Sequence, residues 1–279
     1  MAQTLALLEP EILRTAGHNT PAYIHHIAEA LKLVFADRER YYGDPRFVHV
    51  PLEKLLSPAH IAAQRGRIPA RAENPPPSEG TPPVPRDTSY ICVIDKHGNA
   101  FSATPSDVSY DTPVIPGTGL CPSSSGSQSW ADPAHPSSVA PGKRPRLTPN
   151  PALLIREGEF VMPFGTPGGD VQCQAMLQTL LNILLFDMNP QRAVEAPRFA
   201  TYSFANSFAP HETFPGRLNL EGRFGPDIAA ELTALGHDVR LWPDWSPLAG
   251  AVCLIFQDLQ RGTLAGAADP RRPAMAAGN

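Results

Sequence analysis

Between residues 69 and 86 the chain places seven prolines (Pro69, Pro75, Pro76, Pro77, Pro82, Pro83 and Pro85) and almost no large apolar side chain. Proline lacks an N–H and clashes with helical geometry, so this stretch reads as neither helix nor inner strand. It reads as an extended, solvated linker, which divides the chain into residues 1–68, the linker 69–87 and residues 88–279. The linker stops abruptly at Asp87-Thr88. Beyond it Tyr90, Cys92 and Ile94 alternate with Ile91 and Val93, so both faces of the next strand are apolar and it is expected to lie buried between two layers.

Upstream of the linker, Thr20-Pro21 supplies a capping hydroxyl and a proline suited to a first helical turn. Ile24, Ile27, Ala28, Leu31, Val34 and Phe35 then recur at helical spacing, which predicts one amphipathic helix to about Arg40. A weaker helix is expected around His60 to Gly66. Downstream, Asp95-Lys96-His97-Gly98-Asn99 reads as a three-residue hairpin loop with Gly98 at the left-handed position. Pairing Asp95 with Asn99 sets Thr88 opposite Ser106, unless a bulge shifts the register by one. Residues 105–151 are rich in Ser, Pro and Gly and read as long ordered loops. A second hairpin, Ala152 to Arg156 with Glu159 to Phe164, runs into Gly165-Thr166-Pro167-Gly168-Gly169-Asp170 and an apolar helix from Val171 to about Asp187. Then come a short helix near Gln191 to Ala196, a strand Arg217 to Leu220 and a helix Pro226 to Leu235. Strands at Val239 to Trp242, Ala251 to Gln257 and Gly262 to Ala265 complete the pattern. Strands and helices mix without regular βαβ alternation, which favours an α+β or αββα layered fold.

The 279 residues are 42% hydrophobic, enough for a substantial core. Charged residues make up 18%, the formal charge is −4 and the signs are mixed along the chain, so no basic surface for nucleic acid is encoded. Cys92, Cys121, Cys173 and Cys253 form no CxxC pair, and three of them sit in apolar stretches where small buried hydrophobes are expected. The longest apolar run, Leu180 to Phe186, is too short to span a bilayer. Residues 1–20 lack the pattern of a signal peptide, so the compartment is cytoplasmic by default, or periplasmic or secreted if a leader precedes an upstream part.

Three groups could carry chemistry. Thr88 stands at the junction of linker and strand, where it reads either as a strand-opening threonine or as the residue after a self-cleavage bond. In the second reading its freed amine would act as its own base. Gly168-Gly169, before a helix, could offer unpaired N–H groups to an oxyanion, or could simply turn the chain. Ser106 could orient the Thr88 hydroxyl. The nine histidines, including His25-His26, His49 and His60, show no metal-binding spacing and read as surface or packing residues.

Seven segments together resemble the gamma-glutamyltransferase family of N-terminal nucleophile hydrolases. They are EALKLVFADRERYYGDP (Glu29 to Pro45), DTSYICVIDKHGNAFS (Asp87 to Ser102), GTGL (Gly117 to Leu120), PGKRP (Pro141 to Pro145), GTPGGD (Gly165 to Asp170), EAPRF (Glu195 to Phe199) and GAADPRR (Gly266 to Arg272). The resemblance implies a precursor that cuts itself between Asp87 and Thr88 and folds as a four-layer αββα sandwich. It implies Thr88 as nucleophile toward a gamma-glutamyl or related acyl amide, Ser106 as its supporting hydroxyl, and Gly168 and Gly169 as the oxyanion donors. Residues 1–87 would be the end of the large subunit, and Thr88 to Asn279 the small one. Neither metal nor organic cofactor is implied.

Two departures qualify the expectation. The family's large subunit extends further upstream and includes a carboxylate-clamping arginine, so this chain reads as a truncated and incomplete sandwich. Its apolar hairpin faces are then exposed, and a silent, partner-dependent remnant is a rival reading. The second departure concerns substrate recognition. Gln128 stands about where an amine-binding carboxylate is expected, and Leu147-Thr148 replaces a serine pair, so that only Thr148 keeps a hydroxyl. A neutral amide forfeits about 1.5–3 kcal/mol of charge-assisted contact with an ammonium group, which makes an acylase for glutaryl-type amides the other rival.

Overall fold

The computed structural model describes residues 1–72, 82, 88–106 and 112–278. Asp87 and most of the segment expected as a linker lie outside the described residues. Five helices come first: α1 Ala2–Leu7, α2 Pro10–Ala16, α3 Pro21–Tyr41, α4 Leu52–Leu55 and α5 Pro58–Arg65. The α3 start is as expected, with Thr20 Oγ1 accepting from the Tyr23 N–H and Pro21 in the first turn. Its stripe of Tyr23, Ile24, Ile27, Ala28, Leu31 and Phe35 is buried. The short α1 and α2 add Leu7, Leu8 and Leu13 to the same core and were not legible as helices.

The strands form three sheets. Hairpin β1 (Ile91–Ile94) and β2 (Ala100–Ala103) stands alone; β3 (Ala152–Arg156), β4 (Phe160–Gly165), β8 (Cys253–Asp258) and β9 (Thr263–Ala267) pair in the order β3-β4-β8-β9; and β5 (Phe199–Thr201), β6 (Arg217–Glu221) and β7 (Asp238–Trp242) pair as β5-β6-β7. Between β6 and β7, which are parallel, runs α8 (Gly225–Ala234). The remaining helices are α6 (Gln172–Leu184) and α7 (Pro190–Glu195).

The layers stack in a definite order. The β1-β2 hairpin lies on one face of the four-stranded sheet, with the Tyr90 ring seated over Gly165. The sheet's other face, through Phe160, Met162, Phe164 and Leu254, packs on Ala175, Met176 and Leu180 of α6. Leu177, Leu181 and Leu185 carry the far side of α6 into the α3 core. The fold is α+β, with a hairpin, a sheet and a helical layer in that sequence.

Two expectations are corrected. The β1 strand is not buried between layers: Ile91 and Val93 are 53% and 47% exposed and Phe101 on β2 57%, because no described residue covers the outer face of the hairpin. Nor are the cysteines fully buried; all four are half-buried. Among the described residues no helix is long and apolar enough to cross a membrane.

The helix α6, expected to be apolar, carries three buried glutamines with specific work. Gln174 Oε1 accepts from the Thr201 N–H at 3.0 Å and its Nε2 donates to the Thr201 carbonyl at 3.1 Å. Gln178 does the same for Phe199, at 3.1 and 2.8 Å. The two side-chain amides thus pair the free edge of β5 as a neighbouring strand would. Replacing Gln178 with methionine keeps the volume and leaves a buried N–H and C=O unmet, each costing about 1–3 kcal/mol. Gln178→Met should therefore lower the unfolding free energy by about 2–4 kcal/mol in urea titration, and an unchanged midpoint would refute this edge pairing.

Candidate active site

Thr88 enters the site through hairpin register. Ile91 pairs with Ala103 and Ile94 with Ala100, and the loop closes through the Asp95 N–H to the Asn99 carbonyl at 3.0 Å, with Gly98 at φ +83°. No bulge intervenes, so the ladder extends to an isolated bridge between Thr88 and Ser106. The two hydroxyl oxygens lie 2.9 Å apart. The Ser89 N–H donates to the Pro105 carbonyl at 3.0 Å and fixes the same register one step on.

What holds this hairpin end on the sheet is Tyr90. Its hydroxyl is 2.8 Å from Ser102 Oγ, and its ring occupies the space over Gly165, where a Cβ would come within 2.2 Å of a ring carbon. Thr88, Tyr90, Cys92, Pro167, Ala251 and Cys253 line a cavity of about 500 Å³. Burial pushes the Cys92 thiol up to about 11, so it is no nucleophile at neutral pH.

The turn after β4 forms the far wall. Thr166 Oγ1 accepts from the Ala251 N–H at 2.7 Å and donates to the Pro167 carbonyl at 2.7 Å, locking the start of the turn. Gly168 then takes φ +132°, a conformation that side chains rarely adopt, and Gly169 opens a short 3-10 turn, Gly169–Val171, leading into α6. Among the described residues neither glycine N–H has a hydrogen-bond partner. Gly169 lines a second cavity, of about 420 Å³, together with Arg38, Arg146, Thr148 and Asp170. Thr88 and Thr148 therefore open onto different cavities, with the Pro167-Gly168-Gly169 turn between them.

Gln128 joins neither cavity. It ends a 3-10 turn, Ser124–Gln128, and is 1% exposed, with its Oε1 buried and without a hydrogen-bond partner. Its loop is held instead by Trp130, stacked between His135 and His211 at centroid distances of 4.1 and 3.9 Å.

A family model described as gamma-glutamyltranspeptidase matches residues 1–279. The chain belongs to this family. It is 33% identical over 280 residues to the glutathione hydrolase-like YwrD proenzyme of Bacillus subtilis (strain 168), covering 99% of this chain and 51% of that protein. It is 32% identical to the oxamate amidohydrolase proenzyme of Klebsiella pneumoniae subsp. pneumoniae, covering 95% of this chain and 49% of the relative. A solved structure described as LmbA2991HD matches all of the chain and 51% of its own length, with a TM-score of 0.90 and 34% identity. The chain thus spans about half the length of the curated relatives it matches.

In this gamma-glutamyltranspeptidase-family chain one further group supports the site, and sequence reasoning had noted its members only as motif letters. Arg38 on α3 donates to Asp170 and, at 2.9 Å, to the Ala205 carbonyl. Asp170 also accepts from the Ser207 N–H and Oγ, both at 2.7 Å. The Arg38 guanidinium packs over Phe35 and Phe204. This ties the residue after Gly168-Gly169 to α3 and to the loop before β6. Asp170→Asn removes the charge from a pair whose side chains are 16% and 3% exposed. The expected loss is about 3 kcal/mol in chemical denaturation, smaller by half or more if Arg38→Met is already present.

Proposed function

We propose that this chain is the self-cleaving, nucleophile-bearing part of a gamma-glutamyltransferase-like amidohydrolase or acyltransferase. The single observation that carries the reading is the 2.9 Å contact of Thr88 Oγ1 with Ser106 Oγ, on a cavity walled by the turn that leads to Gly168-Gly169. In the precursor, Thr88 Oγ attacks the Asp87 carbonyl carbon, the acyl group passes from nitrogen to oxygen, and water hydrolyses the ester to release residues 1–87 as one product and Thr88 to Asn279 as the other. The new Thr88 amine then accepts the Oγ proton as Oγ attacks a substrate amide. Ser106 orients that hydroxyl, and the Gly168 and Gly169 N–H groups receive the oxyanion. Collapse expels the amine with a proton, and water or a second amine takes the acyl group from Thr88.

A stretch equal to about half the length of the relatives would supply further strands beside the β1-β2 hairpin and a second helical layer over Ile91, Val93 and Phe101, giving the four-layer αββα sandwich. The exposure of those three side chains supports this reading.

On substrate, the exposed Leu147 beside Thr148 favours a second reading, an acylase or amidohydrolase for amides that lack the alpha-amino group, and a relative named as an oxamate amidohydrolase supports it. In either case Thr148, which lines the cavity beside Gly169, is the residue proposed to touch substrate, while Gln128, buried away from both cavities, is not.

Two measurements decide these points. Intact mass after expression should show two fragments dividing between Asp87 and Thr88, and Thr88→Ala should leave one whole chain; a wild type that stays whole refutes self-cleavage and favours the partner-dependent remnant. For substrate, hydrolysis of a gamma-glutamyl anilide is set against that of a glutaryl anilide. Losing an ammonium contact of about 1.5–3 kcal/mol predicts roughly a 10- to 100-fold shift in the kcat/KM ratio toward glutaryl. A gamma-glutamyl preference would retain the transferase reading and remove the acylase one.

A further inference from the structure

On the side of α3 away from Thr88, two histidines and a glutamate meet in the core. His25 and Glu29 lie one helical turn apart on α3, and His237 follows α8. Their donor atoms lie within 4.8 Å of one another, and all three side chains are buried, at 7%, 6% and 2% exposure. Among the described residues this is the cluster of His, Cys and carboxylate side chains that brings three donors together.

For two neutral imidazoles the hydrogen bonds fix the tautomers. The Pro69 carbonyl can only accept, so at 2.9 Å it takes the proton of His25 Nε2, and His25 Nδ1 is left bare. The contact of His25 Nδ1 with His237 Nε2, also 2.9 Å, is then donated by His237. His237 Nδ1 is consequently a buried lone pair, and it has no hydrogen-bond partner. The facing nitrogens His25 Nδ1 and His237 Nε2 and the Glu29 carboxylate are the donors that lie together.

We propose that His25, Glu29 and His237 form a site for a divalent cation of the zinc class. Two imidazoles and a carboxylate are a donor set suited to zinc, and a fourth position would go to water. The His25 Nε2–H held by a backbone carbonyl is the outer-shell contact that fixes a ligating histidine in its tautomer. Metal nitrogen bonds of about 2.0–2.1 Å at a tetrahedral angle put the two nitrogens roughly 3.4 Å apart, so the rings, which now face each other across 2.9 Å with centroids 5.1 Å apart, must open and turn to admit the ion. Binding moves the His237 proton from Nε2 to Nδ1, so the proton count is unchanged and Nδ1 stays without a partner among the described residues. Glu29 keeps Lys32 on Oε1, at 2.5 Å, and offers Oε2. Lys32 sets a cation against the metal, and its flexible stem lets it withdraw. Access is through a surface cavity lined by His25, His26, Pro69, Arg71 and Glu231. Bound there, the cation would cross-link α3 to the α8–β7 turn and, through Pro69, to the stretch preceding residue 73.

The test uses the whole chain, stripped with EDTA and titrated with zinc chloride against a chromogenic chelator, and with cobalt chloride for its visible ligand-field bands. Wild type should take up about one zinc per chain, gain cobalt bands of low coordination number and melt at a higher temperature with zinc than without. His237→Gln and Glu29→Gln should each weaken zinc binding by on the order of 100-fold and abolish the melting shift. Absence of uptake by the wild type overturns the proposal, whether or not either variant folds. Uptake that is equal in wild type and both folded variants assigns the zinc to other histidines and overturns it as well.

Discussion

The interior of this chain turns on four charges that are almost wholly out of water. Arg271 donates to both oxygens of Glu221, at 2.6 and 2.7 Å, to Asp269 at 3.1 Å and to the carbonyls of Val194 and Ala196, both at 2.8 Å. Arg198 is paired with Asp269 at 2.6 Å and donates to the Val194 carbonyl at 2.7 Å. The carboxylates are satisfied in turn: Glu221 accepts from the Arg198 and Ser246 N–H groups, and Asp269 from that of Val252. Burial works against an ionised Glu221, yet the Arg271 fork holds its carboxyl below the ordinary value. Desolvating such a cluster is expensive, and it persists because nearly every donor and lone pair is met. Deleting any one member would strand its partner, a loss of about 3–5 kcal/mol. The cluster joins the end of α7, the start of β5, the end of β6, the turn before β8 and the C-terminal stretch. The β3-β4-β8-β9 sheet that carries Gly165 and the β5-β6-β7 sheet are thereby fixed against each other.

That constraint explains why the resemblance lies in separated motifs. EAPRF supplies Arg198 and GAADPRR supplies Asp269 and Arg271, so two distant segments share one ion-pair network. The YYGDP end of the first motif supplies Asp44, buried and held well below the usual carboxylate range by Arg144 of PGKRP and by Arg46. Arg38 of the first motif holds Asp170 of GTPGGD. Charged letters that look like surface decoration in the sequence are the joints between layers, and each needs its partner at one position.

Legibility followed the range of the interaction involved. The Thr88–Ser106 contact was readable because a tight turn fixes hairpin register, and register propagates by counting. The start of α3 was readable from a local cap. The exposure of Ile91 and Val93 was expected only through the resemblance and its missing upstream part, because an apolar strand by itself says nothing about whether its cover is present. β5 was missed because it has three residues and its free edge is paired by side chains of α6, a device without a periodic signature. Gln128 was placed by spacing alone, and loop geometry carried it away from both cavities. His25 and Glu29 are neighbours on a helix, but His237 stands 212 residues from His25, so the meeting of the three belongs to tertiary structure.

The exposed apolar faces bear on how well Thr88 can be positioned. A two-stranded hairpin is marginal in water unless a face is buried, and this one is anchored on its inner face through Tyr90 while Ile91, Val93 and Phe101 remain bare. It also leaves parts of the four-stranded sheet uncovered, since Leu153 and Ile155 on β3 and Leu264 on β9 are 48%, 63% and 56% exposed. The proposed nucleophile thus sits at the foot of a hairpin whose outer face is bare, while the glycine turn sits between the Thr166 lock and the Arg38–Asp170 pair. Acyl transfer needs these two held within a fraction of an ångström of each other. In the proposed reaction, a cover over the outer face of the hairpin would therefore contribute to catalysis without touching substrate, by removing the freedom of Thr88 relative to Gly168 and Gly169.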